Sequence, residues 1–149
     1  MINFDFKTFQ ELSKTEVYDL LALRFEVFVL EQHCFYLDPD GKDMDAIHLL
    51  GVEDNKLVAY LRLFLRNNES NYIVFGRVLT SSSVRAKGYG KRLIQTMLDY
   101  CERNLKSCDI YCSAQLYLKA FYESFGFKVV GDVYDDAGIA HIAMIKSKS

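Results

Sequence analysis

The chain has 149 residues, half of them hydrophobic, one proline and a formal net charge of -2. That size and composition suit a single domain, residues 1–149, with a real core, and exclude a disordered chain. The near-neutral balance gives no global argument for nucleic acid, and no apolar run approaches the roughly 18 uncharged residues of a membrane span. The first residues, Met1-Ile2-Asn3-Phe4-Asp5, lack the basic-then-apolar pattern of a secretory leader. A soluble cytoplasmic protein is the expectation.

In chain order, residues 4–7 alternate as a first strand. Ser13-Lys14-Thr15-Glu16 is a capping box. The helix behind it carries Val17, Leu20, Leu21, Arg24 and Phe28 at helical spacing and extends, with a break, towards Glu31 and Gln32. A polar loop follows to Asp45, with a turn at Asp38-Pro39-Asp40-Gly41. Strands are expected at 47–52, 57–65 and 72–79, joined by polar turns at 54–56 and 66–71 as an antiparallel meander.

After the meander comes Arg85-Ala86-Lys87-Gly88-Tyr89-Gly90, placed between a strand pattern and an amphipathic helix. Gly88 and Gly90 carry no Cβ, so the backbone can pass close to a ligand. The helix that follows offers unpaired N–H groups and the positive end of its dipole, and Arg85 and Lys87 add two cations. Strand, basic turn and helix start together form an anion site, suited to phosphate or pyrophosphate. The helix presents Leu93, Ile94, Met97, Leu98, Cys101 and Leu105 on one face. A strand at 109–114, a short helix at 116–125 ended by Gly126, and a hairpin of strands 127–134 and 139–145 complete the chain. The antiparallel meander leading into a helical crossover implies parallel pairing of the strands on either side of it. The fold class is therefore α/β, a mixed sheet of six to seven strands with helices on both faces.

This order and these motifs resemble the GNAT superfamily of acyl-CoA-dependent N-acetyltransferases. The phosphate-loop pattern of that family is matched by Arg85-x-x-Gly88-x-Gly90, and its second signature by Phe121-Tyr122-Glu123-Ser124-Phe125-Gly126-Phe127. Residues 24–32, Asp38-x-Asp40-Gly41-Lys42-Asp43, Ser113-Ala114-Gln115, Tyr134-Asp135 and Gly138-Ile139-x-His141 are similar to the ElaA-type subgroup. The resemblance implies that acetyl-CoA, as co-substrate, lies between two splayed parallel strands at 72–79 and 109–114. Backbone groups of Val78, Leu79 and Thr80 would pair with the pantetheine arm, as an added strand does. The pyrophosphate would sit on the N–H groups of Arg85, Ala86, Lys87, Gly88, Tyr89, Gly90 and Lys91. Gln115 falls where relatives carry a pantetheine-contacting asparagine. Ala86 replaces a residue that is often glycine or arginine, and is tolerated if its φ is negative.

The implied chemistry is direct acyl transfer from a thioester to a primary amine of a small molecule or peptide. Tyr122 is the candidate acid for the leaving thiolate, and a backbone N–H near Leu79 the candidate for polarising the thioester carbonyl. Candidate bases are Glu26, Glu31, His48, Asp135, Asp136 and His141, with Glu31 favoured; His48 and His141, being in strands, are weighed as structural histidines. Asp38, Asp40, Asp43 and Asp45 do not fit a calcium loop, because Pro39 interrupts it and the downstream glutamate is missing. They are expected to be turn formers or a negative rim that attracts a cationic acceptor. Cys34, Cys101, Cys108 and Cys112 show no metal spacing, so no metal is expected. Cys101 and Cys112 are expected to be buried, and Cys34, in its loop, more reactive. The alternative function is a non-catalytic acyl-CoA sensor or docking module. A further edge strand pairing could give a homodimer; neither nucleic acid nor membrane is expected as a partner.

Overall fold

In the computed structural model, residues 1–66, 72–105 and 108–148 are described. The polar turn expected at 66–71 lies, beyond Arg66, outside them. The strands are β1 (Asn3–Thr8), β2 (Ile47–Glu53), β3 (Lys56–Arg66), β4 (Tyr72–Thr80), β5 (Asp109–Gln115), β6 (Lys128–Asp136) and β7 (Ile139–Lys146). They form one sheet in the order β1-β2-β3-β4-β5-β7-β6. All neighbours are antiparallel except β4 and β5, which run parallel. The crossover between those two is α2 (Tyr89–Asn104), as the order of elements requires.

Residues of β3 alternate between two cores. Ala59, Leu61 and Leu63 join Leu93, Ile94 and Met97 of α2 on one face. Tyr60 joins Leu20 and Leu23 of α1 (Lys14–Arg24) on the other. Period 2 along the strand thus meets period 3.6 along each helix, and burial of each large aliphatic side chain contributes about 1.5–3 kcal/mol. The capping box opens α1 as expected: Ser13 Oγ accepts from Glu16 N at 3.0 Å, and Ser13 N donates to Glu16 Oε1 at 2.8 Å.

Three elements differ from the sequence reading. The break after α1 is a change of winding, with Phe25–Glu31 continuing as a π-helical segment. The wider turn buries the consecutive residues Val27, Phe28 and Val29, which a single α-helical face does not do. The helix expected at 116–125 divides into a 3-10 turn, Leu116–Leu118, and the short α3 (Lys119–Glu123). Of the two strands of the final hairpin, only β6 has a free edge for pairing, because β7 lies between β5 and β6.

Candidate functional site

The site begins where the parallel pair stops being a pair. Its ladder has three rungs, Tyr72 with Asp109, Ile73 with Ile110 and Val74 with Tyr111. Beyond them β4 bends. Tyr60 faces Leu79 and Arg62 faces Gly76, so Leu61 opposes two residues of β4, and Arg77 takes a left-handed φ of 52°. This is a β-bulge; it rotates the strand and ends its pairing. Meanwhile β5 remains paired with β7 through Gln115. Val78, Leu79 and Thr80 therefore run along the open side of a V-shaped gap.

Two cavities occupy the gap. One, of about 480 Å³, is bordered by Leu79, Thr80, Arg85, Gly90, Glu31 and Phe121. The other, of about 430 Å³, is bordered by Phe28, Leu37, Phe75, Ser113, Asp136 and His141. Gln32, Val78, Gln115, Leu118 and Tyr122 line both. Between them, Gln115 Nε2 donates to Gln32 Oε1 at 2.9 Å and Gln32 Nε2 donates back to Gln115 Oε1 at 3.3 Å. This reciprocal amide pair crosses the gap from the π-helical segment to β5.

Tyr122 stands at the junction. Its ring packs among Phe75, Phe121 and Phe127, with centroids 5.2–6.0 Å away. Its hydroxyl has no hydrogen-bond partner among the described residues. Burial holds the phenol's pKa well above its ordinary value, because the phenolate would lose its hydration. The group is thus a neutral O–H donor at physiological pH.

The glycine turn lies at the mouth of the first cavity. Gly88 caps α2 at φ +77°, a left-handed conformation that suits glycine. A Cβ on Gly90 would meet nothing of the protein within 4 Å. Its space is open towards the cavity it borders. Ala86 has φ +72°, so the condition for its easy accommodation is not met, and it adopts a conformation that costs an L-residue about 1–2 kcal/mol. Lys87 and Tyr89 are drawn to Glu53 on the β2–β3 hairpin, Lys87 Nζ at 3.3 Å and Tyr89 through a short hydrogen bond from its hydroxyl. Lys91 is exposed. Arg85 Nη2 donates to Thr80 O at 3.0 Å and pairs with Glu31 Oε1 at 2.7 Å.

That last pair bears on the base. Glu31 borders the first cavity and faces a guanidinium, while the second cavity has no contribution from it. Glu26 and His48 border neither cavity. His48 is fully buried and satisfied, with Nδ1 2.6 Å from Tyr60 Oη and Nε2 2.9 Å from Asp43 O. Asp136 and His141 do border the second cavity. Asp135 borders neither cavity.

In the loop after the π-helical segment Asp40 is a turn former, its Oδ1 accepting from Lys42 N at 3.0 Å, while the free negative rim and the reactive Cys34 are overturned. Asp38 and Asp43 are buried, and with Asp40 they bind arginines. Arg24, itself fully buried, donates from Nε to Asp38 Oδ2 and from Nη1 to Asp43 Oδ1, both at 2.7 Å. Arg62 Nη1 reaches Asp43 Oδ1 at 2.8 Å and its Nη2 reaches Asp40 Oδ2 at 2.5 Å. Arg77 Nε lies 2.8 Å from Asp38 Oδ1. Three guanidiniums compensate three carboxylates, so these residues form an internal clamp and no free negative rim; only Asp45 of the four stays exposed without such a partner. Hydrogen bonding from Arg62 holds the Asp40 carboxyl well below its usual range. Cys34 is buried, not a reactive loop thiol, and burial with Asp136 and Asp135 nearby pushes its thiol up. Cys101 and Cys112 are buried as expected, each pushed up to about 12.

Gln32 and Arg77 have no individual place in the sequence reading. Gln32 ends a run matched only as a block, and the one local signal for the bulge at Arg77 is Gly76, an isolated glycine inside the strand pattern. Among the described residues no group of side chains could hold a metal ion, and no helix is long and apolar enough to cross a membrane.

A family model for the acetyltransferase (GNAT) domain matches residues 24–148. Protein ElaA of Escherichia coli is 41% identical over 138 residues, covering 91% of this chain and 90% of that protein. Its crystal structure superposes with a TM-score of 0.92, over 99% of this chain and 100% of that one. The structure of an acyl-CoA N-acyltransferase from Pseudomonas aeruginosa superposes with a TM-score of 0.93 at 39% identity, covering 99% and 100%. An aminoglycoside 6'-N-acetyltransferase solved with coenzyme A shares the fold, with a TM-score of 0.70 at 18% identity over 96% of each chain.

Proposed function

The chain belongs to the GNAT acetyltransferase family, and from that premise we propose that it transfers an acetyl group from acetyl-CoA directly to a primary amine. The observation that carries this reading is the junction: a neutral phenol with no hydrogen-bond partner among the described residues, at the point where two cavities meet beside an unpaired strand edge. The family supplies acyl transfer with an acyl-CoA co-substrate.

The first cavity takes the coenzyme. Val78, Leu79 and Thr80 offer backbone groups to the pantetheine amides, and Gln115 offers its side-chain amide. The residues from Arg85 to Lys91 hold the pyrophosphate, the N–H groups of Tyr89, Gly90 and Lys91 being the first of α2 and without helical partners. Arg85 exchanges Glu31 for phosphate oxygens. The thioester then lies beside Tyr122, and the amine enters from the second cavity. The neutral amine attacks the carbonyl carbon, a C–N bond forms, and the C–S bond breaks as the tetrahedral intermediate collapses. Tyr122 donates its proton to the departing sulfur and recovers one from the amine nitrogen.

Titration calorimetry with acetyl-CoA tests the reading. Wild type should bind with micromolar affinity, and Gly90→Glu should lose at least about tenfold, since it adds a like charge and a side chain where phosphate would lie. Gly90 is preferable to Gly88 here because a substitution at φ +77° also strains the backbone. Absence of binding by folded wild type overturns the proposal. Tight coenzyme binding with no transfer across a broad amine panel would favour a non-catalytic acyl-CoA sensor.

A further inference from the structure

His141 is directly opposite Gln115 on one side of β7 and Tyr134 on the other. Cross-strand partners point to the same face of a sheet. His141 therefore shares the face of Gln115, the residue that borders both cavities. Its Nδ1 lies 2.8 Å from Ile139 O. A carbonyl only accepts, so Nδ1 carries the proton, and in the neutral ring Nε2 keeps its lone pair. Among the described residues Nε2 has no partner. The ring is further fixed by Tyr134, with centroids 6.0 Å apart, and the Tyr134 hydroxyl is held in a short hydrogen bond with Ser113 Oγ. A histidine of set tautomer with one unused nitrogen, on the wall of the cavity beyond the junction, is what a proton acceptor for an incoming amine needs.

The charges around the cavity restrict that amine. Arg77 is the one guanidinium among the residues lining it, and Asp38 and Asp40 already hold it. Asp40 is in turn bound to Arg62. Asp136, on the hairpin beside His141, has no cationic partner among the described residues. Tyr36, pushed up to about 12 by burial, is neutral, as is Cys34 with its raised thiol. Among the described residues that line the cavity, one carboxylate is left without a counter-ion, and no lysine or arginine is free to receive a carboxylate. The remaining walls, Phe28, Leu37, Phe75 and Leu118, are apolar.

We propose that His141 Nε2 is the general base of the reaction and that its substrates are primary amines that enter as cations, carry an apolar body and lack a carboxylate. This rests on the transferase reading above. The ammonium is drawn towards Asp136, and its N–H bond breaks as the proton passes to Nε2, giving an imidazolium that releases the proton to solvent. The neutral amine then attacks the thioester, and the second proton it loses returns to Tyr122 after Tyr122 has protonated the sulfur.

The test uses 2-phenylethylamine and L-phenylalanine, which differ by one carboxylate. Acetyl-CoA binding to each variant is measured first, so that failure of the transferase reading shows separately as absent coenzyme binding. The protein saturated with CoA is then titrated with both amines. Phenylethylamine should bind at least tenfold more tightly, and Asp136→Asn should weaken it. Equal or preferred binding of phenylalanine, or no binding of either, overturns the substrate class. With acetyl-CoA, wild type should acetylate phenylethylamine, and His141→Ala should reduce kcat by about 100-fold or more, with coenzyme affinity unchanged and partial rescue by added imidazole. His141→Gln, which keeps a hydrogen-bonding side chain, should be equally impaired. Either variant within threefold of wild type, or bound phenylethylamine that wild type does not acetylate, overturns the base assignment.

Discussion

Two polar clusters lie at either end of the second cavity, and they treat their hydrogen-bonding capacity in opposite ways. In the clamp beneath the 38–43 loop, Arg24, Arg62 and Arg77 meet Asp38, Asp40 and Asp43, and charge is matched inside the protein. At the junction and the wall beyond it, Tyr122 and His141 each keep one group for which the described protein provides no partner. The first arrangement fixes a loop; the second is complete only when something binds. Burial or charge alone does not separate structural from chemical residues here, since Arg24 and Tyr122 are both buried. An unpartnered atom alone does not either, because Arg62 Nε and Arg77 Nε are buried without a hydrogen-bond partner although both guanidiniums are held by carboxylates. Tyr122 and His141 differ in bordering the cavity with no charged partner among the described residues.

The comparison breaks most sharply if the clamp is unnecessary. Arg24→Ala leaves Asp38 and Asp43 buried without their main partner, and should cost about 3–5 kcal/mol of stability by urea denaturation. A loss below about 1 kcal/mol would mean that water readily replaces the guanidinium. At the junction the expectation reverses. Tyr122→Phe removes a hydroxyl with no hydrogen-bond partner among the described residues, so unfolding should shift by less than about 1 kcal/mol. Acetyl transfer should fall by about 100-fold or more, with CoA affinity within about twofold of wild type.

Acid sharpens the contrast further. Burial lowers the pKa of His48, while arginine partners lower those of Asp40 and Asp43. For each, the unfolded chain binds protons more readily than the fold, so the stability is present above the unfolded pKa and is lost as pH falls. Destabilisation should begin below about 6.5 from His48 and steepen below about 3.9 from the aspartates. In His48→Gln the upper limb should vanish from a plot of the urea midpoint against pH; its persistence would remove His48 from the account. The smallest effect is expected at the turn. Ala86→Gly relieves a left-handed alanine at φ +72°, partly offset by the greater freedom of glycine in the unfolded state, for a net gain of up to about 1 kcal/mol in thermal or urea unfolding.

Periodicity and turn chemistry made most of the fold legible. The alternation of β3, the apolar face of α2 and the Ser13 capping box are local patterns, and each is present as read. The family resemblance placed the glycine turn and Tyr122 in one cleft. The clamp was not legible, because pairs such as Arg24–Asp43 join residues 19 apart in an irregular loop, and an acidic loop looks the same whether its partners are solvent or buried arginines. The bulge at Arg77 is marked locally only by Gly76 inside the strand pattern, which does not show which residue takes the left-handed φ. A sequence does not show that Glu31, at the last turn of a π-helical segment, faces Arg85 at the first cavity. His141 was weighed as structural since one ring nitrogen in a strand is usually occupied; the other nitrogen is visible only once the register with Gln115 is known.

The paired amides of Gln32 and Gln115 have a mechanical consequence. Each neutral hydrogen bond contributes about 1 kcal/mol net, so parting the two costs only a few RT. That cost involves no ion, whereas the neighbouring Arg85–Glu31 contact is screened by salt. The partition between the two chambers is therefore a swing door whose stiffness stays nearly constant across ionic strength, hung beside a bolt whose strength does not.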